Sequence, residues 1–192
     1  MRRITKVSAI FAAATAALTI GLTPASADVV DSTISGGTLT ATTYGATLTG
    51  VTLDGSNTQT ATGNASSEWI ITDARGTGSA WALSVSATTP TSVAGTEESV
   101  PRTIPVSGLT ITPGTITAGA GSDSAATIAA PALALSTSSQ ALVSTVGQNM
   151  GSYTLAPAFS LAVPANAYRS NYAVGASGAL NPYTSTITYT IG

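Results

Sequence analysis

Residues 183–191 alternate without a break. Tyr183, Ser185, Ile187, Tyr189 and Ile191 hold the odd positions, and Thr184, Thr186, Thr188 and Thr190 hold the even ones. Successive side chains of a strand point to opposite faces, so this run turns aromatic and β-branched groups toward a core and hydroxyls toward water. A slip of one residue would bury the threonines instead, so the register is strongly specified. The same period returns at Trp81, Leu83 and Val85, with Ala82, Ser84 and Ser86 opposite, and at Trp69 and Ile71, with Ile70 and Thr72 opposite. After residue 27 no amphipathic helical pattern of useful length appears. Short β-prone runs punctuated by Gly and Pro predict an all-β chain. The expected fold is a single antiparallel β-sandwich, Ig-like or jelly-roll-like.

Several elements can be placed in advance. Residues 38–44 and 46–53 are rich in Thr, Val, Leu and Tyr and read as strands, with Asp54-Gly55 as a tight turn after them. Residues 56–67 are small and polar and read as a loop. Residues 68–73 read as a strand that forms a hairpin with residues 81–85 through a turn at 74–79. Residues 88–107 carry Pro90, Pro101, Pro105 and Glu97-Glu98 and read as a long irregular excursion. Residues 109–116 alternate up to Pro113-Gly114, 118–123 form a turn, and 132–135 a short strand. Residues 140–146 fit a helical turn or a strand equally.

Residues 1–27 read as a secretory signal peptide. Arg2, Arg3 and Lys6 form a basic start, residues 7–22 an apolar alanine-rich stretch, and Ala25-Ser26-Ala27 a small-residue cleavage site. An uncleaved membrane anchor fits less well, because the stretch is short for a span and contains Thr15, Thr19 and Gly21. Arg2-Arg3 alone is a poor twin-arginine signal. Cleavage after Ala27 leaves residues 28–192 as one domain, 165 of the 192 residues, long enough for a real core.

The part that remains holds only Arg75, Arg102 and Arg169 against eight carboxylates, a net charge of −5, and has no lysine, histidine or cysteine. No disulfide or lipid-bearing cysteine can form. No hydrophobic tail with a basic stop follows the last strand-like run. The expectation is a secreted chain with no membrane contact after cleavage, held at a surface non-covalently. Three arginines without a cluster also argue against nucleic acid or teichoic acid as a partner.

Trp81-x-Leu83 follows the turn Asp73-Ala74-Arg75-Gly76-Thr77-Gly78. That combination resembles the proximal motif of the WxL surface domain, a cell-wall-associated module of Gram-positive bacteria. Gly151-Ser152-Tyr153-Thr154-Leu155 resembles the Gly-x-Tyr-x-Leu block of that family, and Leu161-Ala162-Val163-Pro164 its Leu-x-Val-Pro block. Residues 183–191 sit where the family has its distal motif. The likeness spans residues 31–192, with one departure: Tyr189-Thr190-Ile191 stands where a second Trp-x-Leu is usual. The resemblance implies non-covalent attachment to the cell wall, with peptidoglycan as partner. It marks Trp81, Leu83, Tyr189 and Ile191 as motif residues, in a structural or a wall-binding role.

Catalysis is not expected. Without His or Cys there is no Ser-His-Asp or Cys-His site, and Lys6 leaves with the signal, so there is no Ser-Lys pair. Zinc lacks its usual ligands. Glu68 and Asp73 remain as a glycosidase pair only by elimination. Asp54-Gly55-Ser56-Asn57 and Gly121-Ser122-Asp123 could be read as calcium ligands, but turn chemistry accounts for both, so no metal and no cofactor is expected. Trp81 is read as core in preference to a sugar-stacking platform, because it shares a face with Leu83 and Val85. The distal face of Ile187, Tyr189 and Ile191 is expected to enter the same core. The rival to wall binding is a structural or adhesive subunit that pairs exposed strand edges with other surface proteins.

Overall fold

The computed structural model describes residues 31–170, 172–175 and 180–192. The signal-peptide reading of residues 1–27 lies outside them. Ser35–Gly192 form one compact unit, distinct from Met1–Ile34. Among the described residues no helix is long and apolar enough to cross a membrane.

The unit is built from short antiparallel strands: β1 Leu39–Thr42, β2 Gln59–Asn64, β3 Trp69–Asp73, β4 Ala82–Ala87, β5 Leu109–Thr112, β6 Thr117–Ala118, β7 Leu133–Ala134, β8 Gln140–Ser144, β9 Gly151–Leu155, β10 Ala158–Val163 and β11 Ile187–Ile191. Single 3-10 turns lie at Val106–Gly108, Ala125–Thr127 and Tyr172–Val174. The strands form three sheets, in the orders β1-β3-β9-β6, β2-β10-β5-β7 and β11-β4-β8.

The alternation predicted from sequence turns the apolar faces of all three sheets onto one buried cluster. Trp69 and Ile71 of the first sheet, Ile111, Phe159 and Leu161 of the second, and Leu83 and Val85 of the third belong to it. Trp69 joins the sheets. Its ring is 0% exposed and meets Phe159 of the second sheet edge-on at 6.2 Å between centroids, and Tyr189 of the third at 4.9 Å. Its indole N–H donates to the Tyr44 carbonyl at 2.9 Å, so the buried nitrogen is satisfied.

Four sequence expectations change. Residues 74–79 do not close a hairpin, because β3 lies between β1 and β9 while β4 lies between β11 and β8. Both sides of β3 are occupied, and the chain crosses to another sheet. Residues 56–67 are not simply a loop, since β2 pairs with β10 along its whole length. Ala61 is the buried core residue of β2, and so small a side chain leaves almost no hydrophobic signature.

Residues 46–53 form no strand beyond a single bridge from Ala46 to Ala65. Thr49 runs beside β2 but accepts the Thr62 N–H with its side-chain oxygen at 3.1 Å, which replaces a regular ladder bond. The close approach needs Gly63, where a Cβ would sit 2.4 Å from the Thr47 carbonyl oxygen. Residues 140–146, open between helix and strand, contain β8. Its pairing with β4 shifts between Leu83 and Ser84, and Leu142 and Val143 are both buried. Such a bulge turns two consecutive side chains inward and breaks the alternation that would have identified the strand.

Candidate functional site

The two motif strands lie side by side. β4 pairs with β11 with Leu83 opposite Ile191 and Val85 opposite Tyr189. Beyond the strand, Ala82 and Gly192 exchange both backbone bonds, at 2.7 and 3.1 Å. Segments about a hundred residues apart in sequence therefore make one ribbon, with Leu83, Val85, Ile187, Tyr189 and Ile191 turned to the same core.

Trp81 opens this ribbon and is 2% exposed. Its indole N–H donates to the Asn149 carbonyl at 3.0 Å. Its backbone N–H donates to the Thr145 hydroxyl at 3.0 Å, and its carbonyl accepts the Thr145 N–H at 3.0 Å. Asn149 is itself buried and donates from its amide to the Ser124 carbonyl and the Thr127 hydroxyl, each at 3.0 Å. The Tyr153 ring lies 6.1 Å from that of Trp81. Desolvation pushes the Tyr153 hydroxyl above its ordinary pKa, and its oxygen sits 3.0 Å from the Met150 carbonyl. A ring enclosed in this way offers no face for a sugar.

The turn ahead of Trp81 is held by one ion pair. Arg75 forks onto Asp73, with Nε 3.0 Å from Oδ1 and Nη2 2.9 Å from Oδ2, and Nη2 also donates to the Ser79 carbonyl at 2.8 Å. Asp73 is buried, and the Arg75 guanidinium holds its carboxyl below the usual range against the opposing effect of burial. Gly76 and Gly78 take φ of 68° and 64°, which glycine tolerates without strain. Gln148, a non-glycine residue at φ 55°, donates its N–H to the Gly78 carbonyl at 2.9 Å and ties the turn to the segment that caps Trp81. The Asp-x-Arg-Gly-Thr-Gly pattern is thus a brace that sets the entry of β4.

Tyr189 occupies a different setting. Its hydroxyl is buried and finds no hydrogen-bond partner among the described residues, and burial pushes its pKa well above the ordinary value. Gln140 Oε1 is in the same condition, and the two residues flank Val85 in register on the same face.

Asp73 is engaged with Arg75 and lies at the opposite end of β3 from exposed Glu68, so these two do not converge as a glycosidase pair would. Asp54 Oδ1 accepts the N–H groups of Ser56 and Asn57, both at 2.9 Å, and those bonds lower its pKa. Asp123 Oδ2 accepts the Met150 N–H at 2.8 Å. The Asp54 carboxylate thus holds its own turn, whereas that of Asp123 reaches across the chain to the backbone just ahead of β9. Among the described residues no group of three or more His, Cys, Asp or Glu is arranged to hold a metal.

The sequence reading missed Asn149 and Thr145 as the groups that satisfy Trp81, and Trp69 as the ring that Tyr189 touches. It also missed a surface cluster. The Arg102 guanidinium lies 4.1 Å from the centre of the Tyr168 ring and 5.7 Å from that of Tyr172. No family model, curated protein or solved structure matches the chain.

Proposed function

We propose that this chain is an exported, non-catalytic β-sandwich domain of WxL type that attaches non-covalently to the bacterial cell wall, with peptidoglycan as its ligand. The observation that carries the reading is the pairing of the two motifs. Trp81-x-Leu83 and Tyr189-x-Ile191 are far apart in the chain, yet Leu83 and Ile191 face each other on the paired strands β4 and β11, with Trp81 just ahead of β4. The signal-like residues 1–27 supply the export. A single buried cluster fed by all three sheets favours one sandwich.

Binding works through hydrogen bonds and apolar contact more than through charge, because a net charge of −5 leaves few cations for an anionic polymer. The test is co-sedimentation of residues 28–192 with purified sacculi, with and without teichoic acids, at low and high salt. Retention at high salt on sacculi stripped of teichoic acid is expected. A well-folded protein that pellets with no sacculus would remove the reading, and binding that collapses at high salt would refute its chemistry.

One feature favours the rival, a subunit that pairs strand edges. The Ala82–Gly192 exchange sets the phase of the ladder, so Ile187, Tyr189 and Ile191 aim their backbone N–H and C=O groups away from β4. Among the described residues no strand pairs with β11 on that side, although β1 comes near it. Such an edge can template another strand. Size-exclusion chromatography separates the two readings: a fixed oligomer that ignores wall supports the subunit, and a monomer that pellets with wall supports the binding domain.

A further inference from the structure

Most of the outward strand faces carry only small polar groups, such as Thr60, Thr62 and Ser160 on the second sheet and Ser84, Ser86, Thr188 and Thr190 on the third. One place differs. Two of the three arginines in residues 28–192 converge there on aromatic rings. Arg102 lies over Tyr168, and the Arg169 guanidinium lies 5.9 Å from the Tyr172 ring. Tyr168 and Tyr172 meet edge-on at 4.6 Å. Tyr168 remains 41% exposed.

The cluster is held from several directions. Glu98 accepts from Arg102 Nε at 3.1 Å and from Nη2 as well. The Arg102 backbone N–H donates to the buried Ser92 hydroxyl at 2.9 Å. The Tyr183 hydroxyl donates to the Tyr168 carbonyl at 2.8 Å. The irregular excursion 88–107, the segment around Tyr168 and the approach to β11 are thereby fastened together. A staple alone would be served by buried rings. Here Tyr168 stays partly in water beside a guanidinium and a carboxylate that are already oriented, so little ordering is left for a ligand to impose.

We propose that this arginine–tyrosine patch is a carbohydrate-contacting surface that takes wall glycan. The apolar face of a sugar ring lies against the part of Tyr168 that Arg102 leaves exposed, and ring hydroxyl, N-acetyl or carboxyl groups hydrogen-bond to Arg102 and Glu98. The proposal rests on the wall-binding reading and gives it a location, away from the buried motif residues. Tyr and Arg are, with Trp, the side chains enriched where binding energy concentrates in protein–protein interfaces, because they combine apolar area with directed hydrogen bonds. Arg102 is paired with Glu98 and so carries little unbalanced charge toward a ligand, which agrees with attachment that survives salt.

The probe is soluble glycan strands cut from sacculi and freed of their stem peptides, titrated calorimetrically into residues 28–192, which include the whole compact unit. Tyr168→Phe should bind like the parent. Tyr168→Ala should bind at least about tenfold more weakly with an unchanged melting curve. If the alanine variant melts lower, Tyr168→Leu decides, because it keeps apolar bulk beneath Arg102 without an aromatic face. A parent that pellets with sacculi beside an equally retained and equally stable Tyr168→Leu would overturn the patch and leave the wall reading standing. A parent that pellets with sacculi yet ignores peptide-free strands would overturn glycan as the ligand. A parent that pellets with no sacculus would fail the wall reading itself.

Discussion

Trp81 and Tyr189 are the aromatic members of the two motif strands, and their surroundings are opposite. Trp81 leads into β4, which has β11 on one side and β8 on the other, and its indole and backbone polar groups are satisfied. Tyr189 sits on β11 at the edge of the same sheet, half-buried, with a hydroxyl that finds no partner among the described residues. Identical spacing of an aromatic and an aliphatic thus yields a closed, hydrogen-bonded anchor in one strand and an open, incompletely satisfied one in the other. A central strand has neighbours on both sides to supply partners; an edge strand has half as many. The motif pattern specifies which face is buried, and strand position specifies how completely.

Truncating the closed anchor should have the largest effect. Trp81→Ala removes a buried ring and leaves the Asn149 carbonyl without its donor, so a loss of about 3–5 kcal/mol is expected in denaturant unfolding. A variant that keeps its midpoint while losing wall binding would break the contrast and make Trp81 a ligand platform.

The brace ahead of β4 should come next. Asp73→Asn removes the charge that Arg75 grips, with an expected loss of about 2 kcal/mol, below the cost of breaking a fully buried pair because Arg75 is partly exposed. The folded Asp73 carboxyl titrates below its unfolded value of about 4, so its contribution is complete above about pH 4 and is lost as the pH falls through the depressed folded value. The melting temperature of the parent should therefore converge on that of Asp73→Asn at acid pH. A constant gap from pH 7 to pH 2 would show that the brace does not act through charge.

The smallest effect belongs to the open anchor. Tyr189→Phe deletes a buried hydroxyl that has no partner among the described residues, so stability should be unchanged or higher by about 1 kcal/mol. A loss of more than about 1 kcal/mol in thermal unfolding would mean that the hydroxyl is satisfied after all, and the comparison with Trp81 would fail.

Reading the strands from sequence succeeded where large side chains alternate with small polar ones. β3, β4 and β11 were legible because Trp69 and Ile71, Leu83 and Val85, and Ile187, Tyr189 and Ile191 fall at every second position on a background of Thr, Ser and Ala. β2 was not legible, because its one buried contact to the core is made by Ala61, and β8 was obscured by the bulge at Leu142. At the candidate site, the inward face of Trp81 and Leu83 could be read from period two. The hydrogen-bond partners at Thr145 and Asn149 could not, since a backbone carbonyl and a threonine hydroxyl carry no sequence signature of what they will face.

Local pattern determined the β class and the choice of face, because both follow from the two-residue period of an extended chain and the cost of burying hydroxyls. Composition determined which chemistries were absent from residues 28–192. Strand pairing was decided only by the tertiary structure. The 74–79 turn resembles a hairpin until β1 and β9 are seen on both sides of β3, and nothing near the turn encodes that competition. The meeting of Arg102 with Tyr168 and Tyr172 is of the same kind. It joins residues 66 or more positions apart, and such contacts depend on the closure of the whole core rather than on any local preference.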